Sequence, residues 1–168
     1  MAEESSNSFI FACSSEADTD QLGAWIAESI EEGCVIELNG QLGAGKTRLV
    51  RAVCGSLGID TTQVNSPTFV LLQLYTDGRV PVAHFDTYRL GDIDEFLAIG
   101  ADEYTGSNEW LCLIEWAERV SECLPDDRLR VDITATGEHT RRFVINSMGP
   151  FSAAVLRRIR DFEGQLPG

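Results

Sequence analysis

At 168 residues with 43% apolar side chains, the chain is sized for one domain whose core needs neither disulfides nor a structural metal. A net charge of −14 argues against stand-alone nucleic-acid binding, which relies on Lys and Arg neutralising phosphates. No apolar run approaches the ~20 residues that span a bilayer, and the acidic, polar start is unlike a secretory signal, so the chain reads as cytoplasmic with no membrane partner.

Residues 8–13 read as a short strand. Ser14 or Ser15 then caps a helix over about 17–31, with Leu22, Trp25, Ile26 and Ile30 on one face, and Gly33 ends it. Residues 34–39 form a mostly apolar strand that runs into a Gly-rich loop. A helix over 46–57 follows, with Leu49, Val50, Val53 and Leu57 inward, and Gly58 stops it. After a Pro-containing connection over 64–68, residues 69–75 and 80–86 read as a hairpin around Asp77-Gly78. Asp92 starts a short helix. Residues 110–115 form an apolar strand ending in a carboxylate, followed by a helix to about Cys123. Residues 128–134 and 140–146 form a second strand pair around Gly137, and residues 151–163 a last helix carrying Arg157, Arg158 and Arg160. Strand, helix, strand, helix with added hairpins predicts one α/β domain over 1–168: three layers, of P-loop NTPase type, around a mixed central sheet. Cys13, Cys34, Cys54, Cys112 and Cys123 form no Cys-x-x-Cys pair and read as free thiols.

The segment Gly40-Gln41-Leu42-Gly43-Ala44-Gly45-Lys46-Thr47 matches the phosphate-cradling pattern, between a predicted strand and a predicted helix. Its glycines let backbone N–H groups turn inward around a phosphate, and the helix start adds its positive end. Lys46 is then expected to reach the β- and γ-phosphates and the Thr47 hydroxyl to take one position on Mg²⁺. Lys46 is also the sole lysine; the other 12 basic residues are arginines. A position where Lys is retained in such a chain needs a compact, flexible point charge rather than a planar fork.

Such a loop needs a second acidic group near the metal. Glu115 ends the more continuous apolar run and is assigned to Mg²⁺, directly or through water; Asp86 would then orient the attacking water or act as general base. On sequence alone the two roles are interchangeable. Thr68, in Ser66-Pro67-Thr68, can sense a γ-phosphate or belong to an ordinary turn. Arg89 can stabilise developing charge, contact a partner, or be a plain surface arginine. His84 reads as a packed or surface histidine, and Trp110 and Trp116 as packing residues.

Together, Gly40 to Thr47, Ser66-Pro67-Thr68-Phe69, His84-Phe85-Asp86-x-Tyr88-Arg89-Leu90 and Ile114-Glu115-Trp116 resemble the bacterial TsaE (YjeE) family of small P-loop ATPases over roughly residues 9–147. The resemblance implies a role in forming threonylcarbamoyladenosine at position 37 of tRNA, with TsaD and TsaB as partners and tRNA met indirectly through that complex. It implies ATP contacts from Gly40, Leu42, Gly43, Ala44, Gly45, Lys46, Thr47 and Arg48. Residues 14–19, including Ser14, Glu16 and Thr19, would approach the adenine, and Arg141 would reach the nucleotide. Thr47 and Glu115 would hold Mg²⁺, while Asp86, Lys46 and Thr68 would serve catalysis. A small-molecule or nucleoside kinase is the main alternative; it needs an Arg-rich lid, and the arginine clusters lie near the chain end. A GTPase is disfavoured, because no Asn-Lys-x-Asp stretch exists. A module in which ATP only glues partners together is a further reading.

Overall fold

The computed structural model describes residues 6–167; the acidic start over residues 1–5 lies outside them. Seven strands form one sheet: β1 (Ser8–Cys13), β2 (Cys34–Asn39), β3 (Leu72–Tyr75), β4 (Val82–Asp86), β5 (Leu111–Glu115), β6 (Leu129–Ala135) and β7 (Arg141–Ser147). Their order is β1-β7-β6-β2-β5-β4-β3. The centre is parallel, β6 with β2, β2 with β5, and β5 with β4. Antiparallel pairs close both edges, so the sheet is mixed as expected.

The helices α1 (Glu16–Ser29), α2 (Lys46–Ser56) and α5 (Pro150–Gly164) cover one face; α3 (Ile93–Ala98) and α4 (Ala101–Thr105) cover the other. Strand alternation divides the core between them. Leu111 and Leu113 pack under α1 and α2, while Cys112 and Ile114 pack with Phe85 and Phe96 on the opposite side. Burying each such aliphatic side chain contributes about 1.5–3 kcal/mol. Because β5 lies between β2 and β4 and is buried on both faces, its sequence is apolar up to Glu115. The close approach of α1 to α2 rests on Gly23: a Cβ there would stand 2.4 Å from Ala52 Cβ.

Several boundaries differ from the sequence reading. Helix α1 stops at Ser29 rather than near residue 31: Ile30 is extended at φ −92° and ψ 114°, and arginines take carbonyls at this end, Arg79 donating to Ala27 O and Ile30 O and Arg158 to Ser29 O. Of the two cap candidates, Ser14 and Ser15, it is Ser15 that caps the helix. Strand β3 starts at Leu72, since Leu71 is in the left-handed region at φ 68°. Strand β4 starts after Pro81, which has no N–H for a ladder. The helix expected after β5 is two short 3-10 turns, Ala117–Arg119 and Ser121–Cys123. Helix α4, opened by Gly100 at φ 81°, was not anticipated. Among the described residues no helix is long and apolar enough to cross a membrane.

Candidate nucleotide site

Strand β2 ends at Asn39 and α2 begins at Lys46, so residues 40–45 turn the chain from sheet to helix. Gly43 at φ 80° and Gly45 at φ 112° adopt backbone conformations that side chains disfavour. Gly45 is the N-cap of α2, and no side chain caps the helix's first N–H groups. These donors are therefore open to an anion, in line with the helix dipole.

Lys46 is buried, and its ammonium folds back into the loop. Nζ donates to Gly40 O at 2.5 Å and Gln41 O at 2.9 Å, and lies 3.9 Å from the centre of the Trp116 ring. Burial pulls its pKa below the usual lysine value; Glu115, Glu118 and Asp86 act in the opposite direction. Trp116, read from sequence as packing, thus covers the loop lysine. It sits in the left-handed region at φ 59°, and its ring also meets Tyr88 at 4.8 Å.

Both candidate acids are buried at the ends of central strands. Glu115 Oε1 accepts from Thr47 Oγ1 at 2.7 Å, and its Oε2 lies 2.5 Å from His84 Nε2. Asp86 Oδ2 accepts from Ser66 Oγ at 2.8 Å and Thr68 Oγ1 at 3.1 Å, and Oδ1 from the Tyr88 N–H at 2.9 Å. A cleft of about 480 Å³ brings Lys46, Thr47, Asp86, Thr68 and Glu115 together with Leu42, Gly43, Gly45 and Arg48.

A second cavity, of about 320 Å³, lies on the other side of the loop and is lined by Glu16, Thr19, Gly43, Gly45, Arg48 and Arg141, among others. Arg48 pairs with Asp20 at 2.8 Å, and more loosely with Glu16 at 3.8 Å. Arg141 clips the loop to the β6–β7 turn: Nε donates to Ala44 O at 2.9 Å, and Nη1 to Gly137 O, Glu138 O and Thr140 O. Ser14 lines neither cavity. Its N–H and hydroxyl both donate to Asp18. Gly40 and Ala44 enter as carbonyl acceptors for Lys46 and Arg141.

The sequence reading did not find His84 and Ser66 as contacts of the two acids, nor Trp116 over Lys46. The available signal was position: His84 and Asp86 are two apart on one strand, and Ser66 and Thr68 two apart in one loop. Of the arginines considered for a lid, Arg141 is tied to the loop, Arg158 to Ser29 O and Arg160 to Ser6 O, while Arg142 and Arg157 are exposed.

Comparison with known proteins finds relatives in both sequence and fold. A family model described as "Threonylcarbamoyl adenosine biosynthesis protein TsaE" matches residues 13–143. A Bacillus subtilis relative named "tRNA threonylcarbamoyladenosine biosynthesis protein TsaE" is 39% identical over 132 residues, 79% of this chain and 81% of the relative. A Treponema pallidum protein of the same name is 37% identical, covering 78% and 95%. The crystal structure of YdiB from Bacillus subtilis superposes with a TM-score of 0.77 at 26% identity, covering 93% of this chain and 96% of that one.

Proposed function

The chain belongs to the TsaE family of tRNA threonylcarbamoyladenosine biosynthesis, and from that premise we propose that it is an Mg²⁺-dependent ATPase of this pathway, acting in the cytoplasm with TsaD and TsaB on a tRNA that those partners hold. The observation that carries the reading is the 2.7 Å pairing of Thr47 Oγ1 with Glu115 Oε1, directly beside a loop shaped for phosphate.

The residues present fit both groups. Thr47 and Glu115 offer hard oxygen donors, which suit Mg²⁺. Among the described residues no three His, Cys, Asp or Glu are grouped to hold a metal. A cation here would therefore complete its shell from phosphate and water, as Mg²⁺ commonly does. Bound there, Mg²⁺ would neutralise charge developing on the transferred phosphoryl group.

The chain's own residues do the rest. The loop N–H groups and Lys46 bind the phosphates, and Lys46 gives up its carbonyl partners to do so. Glu16, Thr19 and Arg141 border the cavity that receives the adenosine. Asp86, held by Ser66, Thr68 and the Tyr88 N–H, orients the attacking water and takes its proton. Leu42, Phe69, Val70 and Tyr88 leave large apolar surfaces exposed around the cleft. Such surfaces support a partner that covers the mouth and sets the rate. The kinase alternative would need mobile arginines, and Arg158 and Arg160 are committed to the fold.

Release of phosphate from ATP by the purified chain tests the reading, with Mg²⁺ or with EDTA, and with or without TsaD and TsaB. Slow, Mg²⁺-dependent hydrolysis that the partners alter is expected. Vigorous turnover indifferent to them, or none under any condition, would overturn it.

A further inference from the structure

His84 is completely enclosed, at 0% exposure. It lies two residues before Asp86 on β4, so both side chains leave the sheet on the same face. It pairs in register with Leu113 of β5, which makes Glu115, two residues on, its diagonal neighbour. Its Nε2 lies 2.5 Å from Glu115 Oε2, and its Nδ1 lies 3.3 Å from the Tyr75 hydroxyl.

Donors and acceptors settle the direction of this chain. With Thr47 donating to Oε1, an ionised Glu115 can only accept on Oε2 as well, and the short contact there then takes its proton from His84 Nε2. In the neutral ring Nδ1 is then the acceptor, and Tyr75 donates to it. Burial pushes the Tyr75 phenol up to about 12, so it keeps that proton. Packing alone does not call for an imidazole here. The same face of these strands carries Val82, Leu111 and Leu113, and an apolar side chain would avoid the cost of burying two ring nitrogens.

We propose that His84, oriented by Tyr75, is a positioning residue that locks the Glu115 carboxylate beside the Thr47 hydroxyl, so that both oxygen donors are set before a divalent cation arrives. The proposal rests on the reading that Thr47 and Glu115 hold Mg²⁺. Groups that orient a metal's ligands in this way typically change metal affinity by about 10–100-fold when removed.

The test uses the full chain with ADP, and Mn²⁺ as the probe. Mn²⁺ binding is read from loss of its free-ion resonance signal, and metal-free ADP binding by calorimetry in EDTA. His84→Leu should bind ADP in EDTA like the wild type, yet bind Mn²⁺ in the ADP complex about 10–100-fold more weakly. His84→Gln, whose amide can still donate to Glu115, should recover most of that loss, and Tyr75→Phe should lose a smaller part. A folded His84→Leu with wild-type Mn²⁺ affinity, a His84→Gln no better than His84→Leu, or an equal loss of ADP binding in EDTA would overturn the proposal. Should His84→Leu not fold, Tyr75→Phe decides, and an unchanged Mn²⁺ affinity overturns it. A wild-type chain whose ADP binding ignores Mn²⁺ would instead fell the metal reading underneath.

Discussion

Asp86 and Glu115 are register partners at the ends of adjacent parallel strands, yet their carboxylates face different donors. Glu115 is bracketed by Thr47 and His84, beside the phosphate loop. Asp86 is bracketed by Ser66, Thr68 and the Tyr88 N–H, from the loop that enters the β3–β4 hairpin and the turn after β4. The two buried carboxylates thus stand side by side, each with its own set of hydrogen-bond donors. In the proposed reading, that division assigns the metal to Glu115 and the attacking water to Asp86.

Replacing Asp86 by Asn keeps the shape but removes the base. ATP affinity by calorimetry should stay near wild type, while phosphate release should fall by about 10²–10⁴-fold. Hydrolysis close to the wild-type rate would remove Asp86 from the chemistry.

Lys46→Arg tests the compact-charge argument. A guanidinium is too wide and planar for a position held by two loop carbonyls under the Trp116 ring. Binding of ATP should weaken by about tenfold or more, equivalent to about 1.4 kcal/mol, with little change in thermal unfolding.

Strands β1 and β2 were legible residue for residue, because each is a short apolar run bounded by turn or loop residues. The loop and its helix were equally plain, since glycine spacing and helical period agree there. The 3-10 turns after β5 were not, because Trp116 takes a left-handed backbone that its residue type disfavours, held by tertiary contacts. His84 is packed, as one reading of the sequence had it, but its polar partners were not legible for a related reason. One histidine in an apolar strand looks like packing, and only the register of β3, β4 and β5 brings it to Tyr75 and Glu115. Arg141 was placed near the nucleotide by resemblance; its contacts with loop carbonyls depend on a hairpin nearly a hundred residues away in the chain.

Arg141→Ala should therefore loosen the loop without unfolding the domain. A loss of about 1–2 kcal/mol in urea unfolding is expected for the charged hydrogen bonds, together with weaker ATP binding. Arg141→Lys should restore only part, because a single ammonium cannot span the loop and the β6–β7 turn. Wild-type affinity in Arg141→Ala would contradict the clip.

The buried thiols set a pH dependence. Burial pushes Cys34, Cys54 and Cys112 from 9.0 up to about 12. As pH rises past 9, the unfolded chain loses these protons first, so stability falls between pH 9 and 12 by up to ~1.4 kcal/mol per pH unit for each thiol. Urea unfolding under reducing conditions should show the folded state about 3–4 kcal/mol less stable at pH 10 than at pH 8. Equal stability at the two pH values would contradict the assignment.

The central claim is that a nucleotide held by this loop drives tRNA modification. The direct measurement is the amount of threonylcarbamoyladenosine formed per TsaD in a reconstituted reaction with TsaD, TsaB, tRNA and this chain. Wild-type protein should support repeated turnovers, whereas Lys46→Ala should leave formation at the level seen without the chain. Repeated turnover with Lys46→Ala, equal to wild type, would contradict the account.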